Sequence, residues 1–231
     1  MGTVTLDQAA APIVIVGAGG HAQLAYEYFT VDSPHDVVAF AVEREYLTNA
    51  TQEGLPVVAL DELSARYDPG TYQTFVAISY QRLNRLRRRL FDEVKRQGFT
   101  CASFVSSDAS VWRNVTIGEN CFIFEHTSLQ PFVTVGDNCV VWSDYVGHGT
   151  VIEDDVFFGA HVVVAGCCRI GARSFVGVNA TFGDGLSIAE DTIVGAGAVV
   201  HKDIDAPRGV YVGNPARATG RDSFDAFGVE S

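Results

Sequence analysis

Val146-Gly-His148-Gly-Thr-Val-Ile152-Glu-Asp-Asp-Val-Phe-Phe158-Gly-Ala-His161-Val-Val-Val164-Ala-Gly166-Cys-Cys-Arg-Ile170-Gly171 carries an aliphatic or Phe side chain at every sixth position. The period extends backwards through Val111, Ile117, Ile123, Leu129, Val135 and Val141, slips by one residue between 141 and 146, and runs on through Val176, Phe182, Ile188 and Val194. If such residues fill about 40% of a chain, an ungapped chance match is about one in a million. Four residues after these positions the side chains are mostly small, as at Cys121, Thr127, Cys139, Cys168, Ala180 and Ala198. A period of six drifts against 3.6 residues per turn, so no α-helix produces it. A triangular coil with three six-residue sides does: each aliphatic points inward and successive turns pair as parallel strands. The spacing predicts a left-handed parallel β-helix of about five coils. Cys121 and Cys139, eighteen residues apart, then stack on one wall as small core residues.

Before the repeat the pattern differs. Pro12-Ile-Val-Ile-Val-Gly17 reads as a strand buried on both faces. A helix is expected over Gly20–Phe29, then strands over Val37–Val42, Leu55–Val58, Gln73–Ser79 and Phe99–Val105. An amphipathic helix is expected over Leu83–Val94, its arginines on a solvated face. Alternating strands and helices imply a parallel α/β sheet. The chain thus divides into an α/β Rossmann-like domain (1–105), a β-helix (106–217) and a polar tail (218–231). Gly17-Ala-Gly19-Gly20-His21-Ala22 is a turn from strand to helix whose N–H groups can meet a phosphate.

Composition narrows the partners. The 231 residues are 47% hydrophobic and carry a formal net charge of −12. That supports a packed core and disfavours nucleic acid and anionic membranes. No apolar run is long enough to span a bilayer, and Met1–Pro12 lacks the basic start of a signal peptide, so a cytoplasmic protein is expected. Five cysteines in a reducing compartment argue against a disulfide framework. His126, His148 and His161 include no His-x4-His pair of the kind in the coil-type carbonic anhydrases, so no metal is expected.

The glycine-rich opening, the α/β segment and the hexads, closed by Val194-Gly-Ala-Gly-Ala-Val-Val200 and Gly213-Asn-Pro-Ala-Arg217, resemble the hexapeptide-repeat acyltransferases. More narrowly they resemble the sugar-nucleotide acetyltransferases of the sialic-acid and bacillosamine type (PglD/NeuD-like). The resemblance leaves only residues 1–11 and 218–231 uncovered. It implies acetyl-CoA as acyl donor, a nucleotide-linked aminosugar of the 4-amino-4,6-dideoxy type as acceptor, a homotrimer and a place in surface-glycan (lipopolysaccharide or O-antigen) synthesis. The family's Ile-Glu-His-Glu/Asp-Cys hexad falls on Val146-Gly147-His148-Gly149-Thr150. His148 is therefore the general base, with Gly149 in place of the acidic neighbour and Asp144, Glu153 or Asp154 as substitutes. The resemblance also implies sugar-nucleotide contacts at Gly19, Gly20, His21, Glu43 and Arg44. For CoA it implies a groove along Gly166, Val178 and Ala196, with Lys202 and Arg217 near the phosphates. Its CoA-contacting His corresponds to Phe157, and His161 is the alternative here. Two other readings stand beside transfer to nitrogen: O-acetylation of a sugar hydroxyl, and a non-catalytic binding coil.

Overall fold

The computed structural model describes residues 11–229; the expectation for Met1–Pro12 rests mostly on residues outside that range. β1 (Ile13–Val16) is flanked in parallel by β2 (Val37–Val42) and β5 (Gln73–Val76). β4 (Leu55–Ala59) extends the sheet in parallel beyond β2, and the short β3 (Thr51–Gln52) closes that edge antiparallel. β1 is buried at every residue, as its unbroken apolar run requires. Helix α1 (Gly20–Val31) follows the glycine turn, and the one-turn α2 (Leu63–Arg66) precedes β5. α3 (Arg85–Arg96) starts two residues later than expected, because Leu83 and Asn84 take left-handed φ of 48° and 64° and cannot lie in a helix.

Phe99–Val105 is not a strand of this sheet. It touches the sheet through one bridge, Thr74 with Cys101, and then enters the coil, whose first strand is Phe104–Val105. Seventeen two-residue strands follow one another from there to Val199–Val200, giving five full turns and two further rungs of a left-handed β-helix. The first wall starts with Phe104–Val105, the second with Ser110–Val111 and the third with Thr116–Ile117. The predicted aliphatics fill the interior: Ile123, Leu129, Val146, Ile152, Phe158, Val164, Ile170, Val176 and Val194 are each 0–1% exposed. Cys121 and Cys139 sit on consecutive rungs, their thiols on the carbonyls of Gly136 and Glu153 at 3.0 and 3.1 Å.

The corners explain much of the polar sequence. From Asn120 onward each turns through a residue with positive φ, and Asn and Asp tolerate that region. Asn120, Asn138, Asp155 and Asp191 serve the corner between walls three and one, with φ of 57–64°. The one-residue slip is a shortened corner at Trp142–Asp144. There the buried Asp144 carboxylate accepts the N–H groups of Trp142 and Val162 at 2.7 and 2.6 Å. Burial pushes that carboxyl up to about 8, against the pull of those two N–H groups.

The α/β domain leans on the outer face of wall one through Phe29, Phe75, Phe104, Phe122 and Phe124. The arginines of α3 do not all lie on a solvated face: Arg89 and Arg96 are exposed, but Arg87 is not. Arg87 is 1% exposed and donates to the carbonyls of Ser79, Asn138 and Asp155. Arg85 pairs with Asp191 and Arg89 with Glu43. The tail also has structure: Arg217–Asp222 pairs antiparallel with Gly209–Val212. A short helix, Ser223–Phe227, is then capped by Asp222 and places Phe224 between the Arg85 and Arg208 guanidinium groups.

Candidate functional site

Two places carry the chemistry that the sequence singles out. The first lies at the carboxyl ends of β1 and β2, where open α/β sheets bind ligands. A cavity of about 480 Å³ is lined there by Gly17, Ala18, Gly19, Glu43, Tyr46, Asn49 and Gln52, among others. No side chain could fit at Gly17: its φ is +124° and an added Cβ would stand 3.0 Å from the Ala77 carbonyl oxygen. Around Gly19 and Gly20 the space beside each Cα is open. Arg89 binds the Glu43 carboxylate through two contacts of 2.7 and 2.8 Å and holds it below the usual carboxylate range.

The other expected contacts separate. Arg44 does not line the cavity; its guanidinium is engaged by Asp61 and Glu62. Gly20 and His21 also lie outside the lining, with the His21 ring turned towards Phe122 and Trp142 on the coil. Burial, then the Arg87 charge, lowers the His21 pKa to about 4, so the imidazole is neutral at the seam between the two parts. Sequence reasoning missed Tyr46, Asn49 and Gln52, which lie on the stretch from the end of β2 through β3. Among the described residues the buried Gln52 Nε2 has no hydrogen-bond partner, which leaves a donor at the cavity wall.

The second place is the corner between walls two and three. His148, Gly166 and Asp184 occupy the same place on three consecutive coils; Cys167 N–H bonds the His148 carbonyl and Gly185 N–H the Gly166 carbonyl, at 2.7 and 2.9 Å. The His148 side chain is exposed. An added Cβ on Gly166 would lie 2.5 Å from His148 Cε1, 2.8 Å from its Nδ1 and 3.0 Å from Asp184 Oδ1. The imidazole thus lies over the glycine, with a carboxylate on the far side.

The three substitutes expected for the acidic partner are committed elsewhere. Asp144 caps the short corner, Glu153 accepts from Ala172 N–H and pairs with Arg169, and Asp154 accepts from Asp137 N–H. The signal that finds Asp184 is the coil period itself, two turns on from His148.

The expected donor residues divide between two corners. Gly166 belongs with His148, whereas His161, Val178 and Ala196 lie on the corner between walls one and two. His161 lines an open depression there with His126 and Asp144. The outer face of wall two separates the corners and shows Tyr145 and Val163, 44% and 41% exposed. Lys202 and Arg217 line a small cavity at the coil's last turn. Among the described residues no three His, Cys, Asp or Glu side chains group as metal ligands, and no helix is long and apolar enough to cross a membrane.

Comparison with known proteins matches both parts. Residues 12–94 match the PglD N-terminal domain, 108–144 the bacterial transferase hexapeptide and 168–202 the hexapeptide repeat of succinyl-transferase. A histidine mutant of perosamine N-acetyltransferase from Caulobacter crescentus, in complex with CoA and GDP-perosamine, is 29% identical with a TM-score of 0.80, covering 92% of this chain and 99% of that one. The acetyltransferase domain of PglB from Neisseria gonorrhoeae shares the fold at 23% identity and a TM-score of 0.79, over 90% and 99% of the two chains. Mitochondrial gamma carbonic anhydrase 1 of Arabidopsis thaliana is 39% identical over 71 residues, 30% of this chain. The chain spans about a quarter of the length of the curated relatives it matches.

Proposed function

We propose that this chain, which belongs with the PglD-like hexapeptide-repeat proteins, is a sugar acetyltransferase: it moves an acetyl group from acetyl-CoA to the amino group of a nucleotide-linked amino-deoxysugar. The observation that carries this reading is the exposed His148, held over Gly166 at the hexad position where the family resemblance puts the general base. The similarity to a perosamine N-acetyltransferase bound to CoA and GDP-perosamine supports both substrates.

In the reaction, the amine lone pair attacks the thioester carbonyl carbon as His148 accepts the ammonium proton. The C–N bond forms, the oxyanion collapses, and the C–S bond breaks. The proton passes to the departing CoA sulfur, leaving an amide and a free thiol. The main-chain N–H of Gly166, a residue with no side chain of its own to crowd the site, is the oxyanion donor. In the α/β cavity, Gly19 and the start of α1 hold the diphosphate, while Glu43 and the free Gln52 amide face the ribose and base.

A homotrimer fits the division of the donor residues. With Gly166 on one corner and Val178 and Ala196 on another, a groove shared by neighbouring coils along wall two would bring both groups to one CoA molecule. A product for surface-glycan synthesis and a cytoplasmic setting belong to the same proposal.

The test is turnover of the His148→Ala variant, followed by thiol release. A fall of at least about a hundredfold with an unchanged circular-dichroism spectrum is expected. Near-normal turnover refutes the assignment.

A further inference from the structure

Resting on that reading of His148, we propose that Asp184 is the positioning carboxylate of the catalytic histidine, supplied two coils away because the next residue is Gly149.

The arrangement depends on Gly166. One point, the place of an absent Cβ, lies within 3.0 Å of both His148 Nδ1 and Asp184 Oδ1. Any side chain at 166 would fill the gap between imidazole and carboxylate. The Nδ1–Cε1 edge of the ring and Asp184 Oδ1 both border that gap. A carboxylate there selects the tautomer with hydrogen on Nδ1, so that Nε2 carries the lone pair for the incoming proton. Among the described residues no direct hydrogen bond joins the two side chains. The contact tightens when a bound substrate covers the corner and excludes water, as catalytic hydrogen bonds commonly do.

Asp184 is exposed and has no salt-bridge partner among the described residues. The other titratable groups along this corner are Cys167, whose Sγ lies 3.4 Å from where a Gly149 Cβ would be, the buried Cys168, and, one coil beyond Asp184, Lys202 with Asp203, whose carboxylate accepts from Ser187 N–H. Burial raises the Cys168 pKa, and the Asp184 charge adds to it in the same direction.

The test compares Asp184→Asn and Asp184→Glu with the unmodified protein over a pH series. For Asp184→Asn, kcat falls about tenfold or more, while KM for donor and acceptor stays within about twofold. Without the carboxylate the protonated ring loses support, so the acid limb of kcat/KM moves to lower pH by roughly half a unit or more. Asp184→Glu recovers part of both changes. A kcat within about twofold of the unmodified protein overturns the proposal, as does a fall in kcat with an unmoved acid limb, which marks a merely structural residue. His148→Ala measured alongside separates the two ideas. If it stays active, the acyl-transfer reading fails; if it is inactive while Asp184→Asn is normal, only Asp184 loses its role.

Discussion

Gly166 and Gly147 lack Cβ atoms for different reasons, and substituting each has a different consequence. An added Cβ at Gly147 would lie 2.6 Å from the main-chain carbon of Ala165 and the nitrogen of Gly166, so the coil itself would have to part. At Gly166 the obstacle is the His148 ring, which can swing away. Gly147→Ala should therefore lower the melting temperature markedly, whereas Gly166→Ala should melt near normally and lose most of its turnover. A thermal scan beside a thiol-release assay separates the two. His21 adds a pH dependence. Its pKa in the fold is about 4, held down by burial and Arg87, against 6.5 for the ordinary side chain. Between those values the unfolded chain takes up a proton that the folded one refuses. His21 thus costs stability as pH falls from about 6.5 to 4, by up to about 3 kcal/mol. Denaturant titrations at pH 7 and pH 5 should show a smaller difference for His21→Gln than for the unmodified protein; equal differences would contradict this.

Among the elements, α3 shows how far the sequence could be read. Its apolar spacing places the helix, but the same residues look like a basic solvated stripe, because only tertiary structure brings a row of main-chain carbonyls to Arg87. Those carbonyls belong to the corner ladder in which Asn120 donates to Asn138 and Asn138 to Asp155, at 2.7 and 2.6 Å. Arg87→Lys keeps the charge but loses the fork, leaving buried acceptors unmet, and should cost more than about 3 kcal/mol in chemical denaturation. The coil was more legible. Its inward residues report the period directly, since every rung meets the same environment. The proposed active corner was only half legible: His148 is visible by its hexad, but Asp184 is brought to the same corner only after the chain has wound through two further turns. Arg44 misled for the opposite reason, as a sequence neighbour of Glu43 that turns to Asp61 and Glu62 instead.

For the whole molecule, wall two is decisive. Tyr145 and Val163 are exposed on its outer face, and Val178 is exposed on the corner that bounds it. If neighbouring coils meet there, Val163→Asp should shift the sedimentation profile from trimer to smaller species and abolish acetyl transfer while each coil stays folded. A monomeric unmodified protein that is fully active would remove the shared groove. One corner histidine is proposed to join a CoA thioester to a nucleotide-linked aminosugar, and mass spectrometry of UDP-, GDP- and dTDP-linked aminosugars incubated with acetyl-CoA and the protein tests this most directly. One of them is expected to gain a single acetyl group that survives mild alkali, as an amide does and an ester does not, and the gain is expected to vanish with His148→Ala. No acetylated sugar nucleotide, or equal product from His148→Ala, would contradict it.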